Sequence, residues 1–303
     1  MNVLIAGGSG FVGSALTRHL TARGHRVSLL SRIPSSPRAG APVFHWDPER
    51  GELDADALAG VDAVVNFAGE NLAGGRWTPE RKRRLVSSRV VPTRFLVRRM
   101  SEWTPRPRAI VNASAVGIYG NRGEEVLTEA SAPGAGFLAD LCKEWESAAL
   151  GAREHGIRAV VLRFGVVLGA GGGALAKMLP IFKLGLGGPL GSGKQWMSWI
   201  ALSDVAGAIE HVLSREEAAG PMNAVAPAPV RNRDFARALG RVLSRPAVLP
   251  APALALKLLL GEMADEALLS SCLVKPTKLR ALGYRFVCEN LVEALRSALK
   301  TRA

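Results

Sequence analysis

The chain has 303 residues with 48% apolar and 21% charged side chains, proportions that suit a large globular fold and exclude extensive disorder. Its net charge of +13 is spread along the sequence without interleaved aromatic residues, which argues against a nucleic-acid partner. No run approaches the ~18 apolar residues of a membrane span, so we expect no membrane contact. The cysteines form no CxxC pair, so we expect reduced thiols in the cytoplasm and no metal site.

Short apolar runs alternate with helical patterns through the first half of the chain. Strands are predicted at residues 3–6, 26–30, 61–67, 108–113 and 158–164, and helices at residues 13–23, 79–100 and 137–155. Nearly all-apolar strands that alternate with helices form parallel sheets covered on both faces. The sequence therefore predicts an α/β fold of the Rossmann type, with a doubly wound parallel sheet. After Gly169 the glycine-rich loops and mixed helices predict a smaller C-terminal α/β lobe.

A glycine motif lies between the first strand and the first helix. It reads Gly7, Gly8, Ser9, Gly10, Phe11, Val12, Gly13. This position is the one that the dinucleotide fingerprint requires. In that fingerprint Gly7 allows the tight turn, Gly10 lets a pyrophosphate approach the backbone, and Gly13 lets the helix pack on the strand. We expect the N–H groups at the start of the helix to bind the phosphates.

The end of the second strand indicates which dinucleotide binds. An NAD site usually has an acidic residue there for the ribose 2′-hydroxyl, but this chain has Ser31 and Arg32, with no carboxylate before Asp47. Arg32 can form charged hydrogen bonds with a 2′-phosphate, and Ser31 can add another. The sequence therefore predicts NADP as the cofactor.

Several ordered motifs resemble those of the extended short-chain dehydrogenases/reductases. They are the glycine motif, NFAG at 66–69, GENLAGGRWT at 69–78, SRV at 88–90, RFGVVLG at 163–169, GLGGPLGSG at 185–193, WI at 199–200, SDV at 203–205, VKP at 274–276 and GYRF at 283–286. Together they resemble an atypical branch, the "epimerase family protein" group of NADP-dependent oxidoreductases. The last two motifs resemble that group's small C-terminal domain.

The resemblance implies further cofactor contacts beyond the glycine motif, Ser31 and Arg32. The implied positions are Phe67, Ala68, Gly69, Arg84, Arg89 and Val167. Arg84 lies in a basic run that is also typical of a solvated helix face. For Val167 the interpretation that its backbone holds the nicotinamide competes with plain core packing.

The usual catalytic residues of this superfamily are only partly present. Most members use a Tyr-x-x-x-Lys pair on one helix and an upstream serine, and the tyrosine exchanges a proton with the substrate oxygen. Ser114 fits the serine position and Lys143 fits the lysine position. The residue four before Lys143 is Ala139, so the usual tyrosine is missing.

Three explanations for the missing tyrosine stay open. Tyr119 can serve as a displaced acid/base, or Asp140 or Cys142 can take that role. Alternatively, the chain binds NADP(H) without turnover, as a sensor or regulator. We therefore take Ser114, Tyr119 and Lys143 as the candidate catalytic residues of an oxidoreductase or nucleotide-sugar-epimerase-like enzyme. Its small-molecule substrate is not identified by any motif.

We expect the NADP(H)-binding domain to span residues 1–170, with residues 195–225 returning to it. Residues 171–303 then form mainly a substrate-cleft lobe that includes a family-specific C-terminal domain at about 248–298. Gln195, Trp196 and Trp199 are candidates for the wall of the cleft, although the two tryptophans are equally typical of a core.

Overall fold

A computed structural model describes residues 1–33 and 40–300. In chain order its strands are β1 (Asn2–Ala6), β2 (Arg26–Ser31), β3 (Val43–Asp47), β4 (Glu52–Leu53), β5 (Ala63–Asn66), β6 (Ala109–Ala115), β7 (Val126–Leu127), β8 (Arg158–Phe164), β9 (Val166–Leu168), β10 (Trp196–Met197), β11 (Trp199–Ala201), β12 (Gly220–Ala224), β13 (Val230–Arg231) and β14 (Leu273–Val274). The helices are α1 (Phe11–Ala22), α2 (Pro79–Glu102), α3 (Phe137–Leu150), α4 (Gly173–Lys183), α5 (Leu202–Leu213), α6 (Asn232–Leu243), α7 (Ala253–Leu260), α8 (Thr277–Ala281) and α9 (Leu291–Lys300).

The main sheet has eight strands in the order β12-β8-β6-β5-β1-β2-β3-β4. Every adjacent pair is parallel except β3 and β4, which form an antiparallel edge. From β1 the chain moves outward to β2 and β3, then returns to the other side of β1 at β5. The predicted doubly wound parallel sheet is confirmed, and its strand order reverses between β1 and β5.

Both faces of the sheet are covered because its strands are apolar on both faces. In β1, Val3 and Ile5 pack towards α1 and α5, whereas Leu4 and Ala6 pack towards α2. All four residues are at most 1% exposed. Burying such a side chain contributes about 1.5–3 kcal/mol, so this short strand is anchored from both sides.

The predicted helices of the first half are also observed, with small differences at their ends. The first begins at Phe11 rather than residue 13, because Gly10 is its N-cap. Helix α2 begins after Thr78, whose hydroxyl accepts a hydrogen bond from the Arg81 N–H at 3.2 Å. Helix α3 ends at Leu150 and continues as a 3₁₀ turn to His155.

We call residues 171–201 and 225–300 the C-terminal lobe, and a second core lies in it. Helices α4, α6 and α9 bury apolar residues against Trp199 of β11, which is 0% exposed. Strand β9 pairs with β11, β10 pairs with β13, and β7 pairs with β14 in small separate sheets. These short pairs hold the lobe over the carboxyl edge of the main sheet.

The C-terminal segments are fastened to the sheet by buried polar groups. Asp204, in the first turn of α5, is 0% exposed and accepts hydrogen bonds from the backbone N–H groups of Val287 (2.7 Å) and Cys288 (3.0 Å). The Tyr284 hydroxyl also donates to Asp204, and burial raises the pKa of the tyrosine.

Strand β12 lies at one end of the main sheet. The predicted domain boundaries stay a prediction, and residues 301–303 lie outside the described part of the chain.

The lengths and compositions of the helices bear on membrane insertion. Within residues 1–33 and 40–300, none combines the length and the apolar character needed to cross a bilayer.

Candidate active site

The glycine loop joins β1 to α1 in a close-packed turn. Gly7 has φ +77°, a conformation that favours glycine. A Cβ on Gly13 would lie 2.3 Å from the Gly7 carbonyl oxygen, so the helix can approach the strand only if residue 13 has no side chain. A Cβ on Gly10 would meet only that oxygen, at 3.3 Å. Gly13 therefore serves packing, whereas Gly10 leaves its space to whatever occupies the site.

A cavity of about 540 Å³ opens at the carboxyl ends of β1, β5, β6 and β8. Ligands of open α/β sheets bind at this edge, where the strand order reverses. Predicted residues that line the cavity are Gly7, Gly10, Phe11, Val12, Gly13, Phe67, Arg89, Ser114 and Cys142. The cavity continues under the C-terminal lobe, whose contributions include Met178, Leu190, Trp196, Met197, Asn232, Glu266 and Leu268.

Ser31 and Arg32 lie beside the glycine loop, at the end of β2. The Ser31 hydroxyl donates to the Ile33 carbonyl at 2.8 Å and accepts from the Ile33 N–H at 3.3 Å, which shapes the turn. Arg32 is exposed. Both residues are outside the lining of the cavity, at the side where the adenosine end of a dinucleotide lies in this fold. Ser9 is exposed in the loop nearby.

The end of β5 is fixed by a buried amide. Asn66 donates to the Thr93 hydroxyl at 2.9 Å and to the Asn112 amide oxygen at 2.7 Å. Its own amide oxygen accepts from the Ala68 N–H at 3.0 Å. These bonds set the course of the chain through Phe67, whose ring reaches the cavity.

Arg89 is a buried cation on the wall of the cavity. It is 7% exposed, and its Nη atoms donate to the carbonyls of Leu85 (2.9 Å) and Glu70 (2.8 Å). Its Nε has no partner in the described residues and packs against Gly69. Burial lowers the pKa of Arg89 to about 10. Because its carbonyl partners do not neutralise its charge, Arg89 gives the cavity an attraction for anions.

Four other predicted cofactor contacts lie outside the cavity lining, namely Ala68, Gly69, Arg84 and Val167. The Arg84 side chain is 57% exposed and lies 3.5 Å from Glu70. The structure thus places Arg84 on a solvated face of α2, which was the other interpretation of its basic run. Val167 packs against the core around α5, and it is its neighbour Val166 that lines the cavity. A backbone contact from Val167 stays a prediction.

Ser114 and Tyr119 belong to one buried hydrogen-bonded network. Ser114 donates to Glu146 Oε1 at 2.7 Å, and Arg163 forms a bidentate pair with Glu146 at 2.8 and 2.9 Å. Arg163 also donates to the Tyr119 hydroxyl at 2.9 Å. That hydroxyl donates to the Thr128 carbonyl (3.0 Å) or to Asn223 Oδ1 (2.7 Å). The network places Ser114 on the cavity wall and Tyr119 behind it.

The position of Tyr119 does not support the proton-transfer role. Its side chain is 0% exposed, its hydroxyl is fully engaged, and burial raises its pKa. In the described structure it is not part of the cavity lining. The structure therefore gives Tyr119 a structural role, as the anchor of the 3₁₀ turn Val116–Tyr119.

Helix α3 presents a different face to the cavity from the one predicted. The residues of α3 that line it are Leu138, Leu141, Cys142 and Trp145. Lys143 points to solvent and forms an ion pair with Asp140 at 2.7 Å, and Ala139 is buried in the core. Since one residue rotates a helical position by about 100°, the pairs four residues apart that face the cavity are Leu138 with Cys142 and Leu141 with Trp145. Their apolar spacing is visible in the sequence, but that this stripe faces a cavity is not.

Cys142 is the alternative acid/base that does reach the cavity. Burial, followed by the charge of Glu146, raises the pKa of its thiol to about 11. A second cysteine, Cys272, also lines the cavity, and burial raises its pKa to about 12. Both thiols are therefore neutral at physiological pH and poor proton donors. Asp140 lies on the exposed face of α3.

The lobe contributes residues that the motifs did not single out. Glu266 accepts hydrogen bonds from the N–H groups of Phe137 (2.8 Å) and Leu138 (2.7 Å), and so caps α3 from across the cavity. Of the proposed cleft residues, Trp196 lines the cavity, whereas Trp199 is core and Gln195 bonds to the Leu190 and Leu268 carbonyls. Glu266 lies 129 residues along the chain from Phe137, so no local sequence pattern connects it with α3.

The fold and the glycine loop define a dinucleotide-binding protein of the Rossmann type. A family model described as "NAD dependent epimerase/dehydratase family" matches residues 3–225, and one described as "Domain of unknown function (DUF1731)" matches residues 251–298. The chain belongs to the NAD-dependent epimerase/dehydratase family. The predicted resemblance is confirmed, and a nicotinamide dinucleotide is confirmed as the cofactor class of the family.

Relatives resemble the chain over nearly its full length. An epimerase family protein of Mycobacterium bovis is 43% identical over 97% of this chain and 96% of its own. A crystal structure of human epimerase family protein SDR39U1 (isoform 2) with NADPH is 37% identical, with a TM-score of 0.91 over 99% of both chains. The Thermus thermophilus UDP-glucose 4-epimerase complex with NAD, at 24% identity and a TM-score of 0.79 over 99% of this chain and 98% of its own, shares the fold.

Proposed function

We propose that this protein is an NADP(H)-dependent oxidoreductase that transfers a hydride to or from a small substrate in the cavity. The observation that carries the proposal is the continuity of the cavity, which runs from the glycine loop past Arg89 to the C-terminal lobe. A site of this shape can hold the nicotinamide end of a dinucleotide and a second molecule together. The NADPH found in the human relative supports the choice of cofactor.

The residues present fit NADP(H). The N–H groups at the start of α1 would bind the pyrophosphate, with Gly10 leaving room for it. Arg32 and Ser31 would bind the 2′-phosphate, and Arg89 would add positive charge near the nicotinamide ribose. When bound, the cofactor supplies the hydride chemistry at its nicotinamide ring.

The chain's own groups would position the second molecule. Glu146, held by Arg163, fixes the Ser114 hydroxyl at the cavity wall, where its oxygen can accept a hydrogen bond. Leu138 and Phe67 exclude water from the same region. Because Cys142, Cys272 and Cys288 are buried free thiols, we also infer a reducing cytoplasmic setting.

A sensor of the NADP(H) pool without turnover is the second candidate. The observation that favours it is the face of α3, where Leu138 and Cys142 stand at the cavity instead of a tyrosine and a lysine. This candidate predicts that NADPH and NADP⁺ bind with different affinities but that no acceptor oxidises bound NADPH.

The choice of cofactor is tested by titrating NADPH and NADH into the wild type and Arg32→Ala. We expect NADPH to bind more tightly, and Arg32→Ala to weaken NADPH by about 10- to 150-fold with little effect on NADH, because a charged hydrogen bond contributes about 1.5–3 kcal/mol. Calorimetry measures both affinities.

Arg237→Ala is the matched control, because Arg237 is an exposed arginine of α6 that lies outside the cavity lining and was not predicted to contact the cofactor. We expect it to leave both affinities unchanged. Equal affinities of the wild type for NADPH and NADH would contradict the NADP(H) proposal.

A further inference from the structure

We propose that the second ligand is a small, uncharged quinone, which the protein reduces, rather than a nucleotide sugar; this rests on the proposed NADP(H)-dependent function. The inference depends on the wall of the cavity, on its charge and size, and on the hydroxyl and thiol groups that reach it.

The wall that the C-terminal lobe provides is apolar. Met178, Leu190, Trp196, Met197 and Leu268 line it. Methionine and tryptophan side chains make favourable contacts with flat aromatic rings. This part of the cavity therefore suits a planar, apolar molecule.

The charged groups of the cavity do not suit a diphosphate. Among the described lining residues the cationic side chain is Arg89, which comes from α2 and packs against Gly69, just after β5. The lobe contributes Glu266 instead, a carboxylate that would repel a diphosphate. Since sites for phosphate groups usually offer arginine, lysine or free N–H groups, the lobe selects an uncharged ligand.

The size of the cavity points the same way. Its volume of about 540 Å³ has to hold the nicotinamide end of the cofactor as well as the second ligand. Cavities for one drug-sized ligand have about 300–1,000 Å³. The space left therefore suits a molecule of one or two rings better than a nucleotide sugar.

A polar group in the lobe can hold a quinone oxygen. Asn232 is 3% exposed, lines the cavity and accepts a hydrogen bond from the Leu190 N–H at 2.7 Å through its amide oxygen. Its amide nitrogen donates to the sulfur of Met197 at 3.1 Å, and thioether sulfur is a weak acceptor. That nitrogen can therefore bind a carbonyl oxygen of the ligand.

The hydroxyl and thiol groups at the cavity are weak acids or already donate within the protein. Ser198 donates to the Cys272 carbonyl at 2.8 Å, and Ser270, a further lining hydroxyl, is an ordinary alcohol and so a weak acid. Ser114 donates its proton to Glu146 at 2.7 Å, and Cys272 donates to the Gly120 carbonyl at 3.2 Å. The Cys142 thiol, whose pKa is about 11, has the Ala115 carbonyl as an acceptor at 3.8 Å. Reduction of an isolated ketone yields a strongly basic alkoxide, which needs an acid as it forms.

A quinone avoids this requirement. The C4–H bond of the reduced nicotinamide breaks, and its hydrogen and electron pair pass to the quinone, so NADPH is oxidised to NADP⁺ and the quinone is reduced. The product is a hydroquinone anion, whose charge is spread over the aromatic ring. Water then supplies the remaining proton, and the overall change is NADPH plus quinone plus H⁺ to NADP⁺ plus hydroquinone.

Binding is tested with duroquinone, a neutral quinone that carries a methyl group at every free ring position and so resists addition of cysteine thiols. Calorimetry with NADP⁺-saturated protein, which has no hydride to give, should show binding of duroquinone and none of UDP-glucose. Leu268→Lys should weaken duroquinone at least about ten-fold, because it places a charge in the apolar wall, and leave NADP⁺ affinity unchanged. Leu254→Lys, on the exposed face of α7, is the matched control and should change neither affinity.

Turnover is tested with NADPH-loaded protein and duroquinone, and we expect equal amounts of NADP⁺ and durohydroquinone. Binding of UDP-glucose instead of duroquinone overturns this inference while leaving the NADP(H) proposal intact. Binding of duroquinone without oxidation of NADPH overturns the hydride step. A wild type that binds no NADPH contradicts the proposed function itself.

Discussion

At the scale of single residues, side chains of similar chemistry have different roles according to what surrounds them. Ser114 and Tyr119 both carry hydroxyls in one network, but Ser114 lies on the cavity wall and Tyr119 lies behind it. Gly10 and Gly13 differ in the same way, since a side chain at residue 13 would strike the backbone and one at residue 10 would enter the site. The surroundings of each residue therefore decide whether it serves the ligand or the packing of the fold.

Tyr119→Phe tests the structural role of the tyrosine. We expect the free energy of unfolding to fall by about 1–3 kcal/mol, because Arg163 and the acceptors Asn223 and Thr128 lose a buried partner. NADPH affinity should stay unchanged. Urea denaturation and calorimetry measure the two quantities.

Val126→Ala, at an exposed residue of β7, is a control for the unfolding measurement and should have little effect. A loss of about 100-fold in turnover, with stability unchanged, would return Tyr119 to the mechanism as an acid/base.

At the scale of elements, helix α3 decides the chemistry of the site by its rotation. It presents Leu138 and Cys142 to the cavity, while the pair Ala139 and Lys143 divides between core and solvent. The helix reaches this orientation because its apolar stripe packs against the sheet and α2. A difference of one residue along α3, from Leu138 to Ala139, therefore separates a cavity position from a core position.

Substitution by tyrosine tests this orientation. Leu138→Tyr should be tolerated, since the larger ring can extend into the cavity, whereas Ala139→Tyr should overpack a site that is 1% exposed. We expect Ala139→Tyr to be less stable than Leu138→Tyr by about 1–3 kcal/mol in urea denaturation. The opposite order of stabilities would place Ala139 at the cavity and restore the predicted pair.

At the scale of the whole molecule, the C-terminal lobe and the dinucleotide-binding sheet form the cavity together. Glu266 spans the two by binding both first N–H groups of α3. Strand β14 pairs with β7, and Asp204 holds the segment at Val287 and Cys288. The lobe is thus fixed over the carboxyl edge of the sheet at several separate points.

Glu266→Ala tests this connection. It leaves the N–H groups of Phe137 and Leu138 without their acceptor at a helix N-terminus, so we expect a loss of about 1–3 kcal/mol in the free energy of unfolding. Hydrogen exchange should increase in the first turn of α3 and change little in α1. Glu262→Ala is the matched control, because Glu262 forms a part-exposed ion pair with Lys82 and should cost less than about 1 kcal/mol. Equal protection of the first turn of α3 in both variants would contradict a connecting role for Glu266.

The sequence predicted five of the eight strands of the main sheet, the three helices α1, α2 and α3, and the glycine loop. These features depend on local patterns: apolar runs of strand length, helical periodicity, and glycines between a strand and a helix. The same local patterns carried the family resemblance, which the comparisons confirmed, and they pointed to the cavity-lining residues Phe67, Arg89 and Ser114.

Packing between elements that are distant in the chain fixes the remaining contacts at the cavity. It turned α3 so that Leu138 and Cys142 face inward, engaged the Tyr119 hydroxyl with Arg163 and Asn223, and brought Glu266 to α3. These contacts join residues 44, 104 and 128 positions apart in the chain. No local pattern encodes them, because they depend on how packed elements lie against one another.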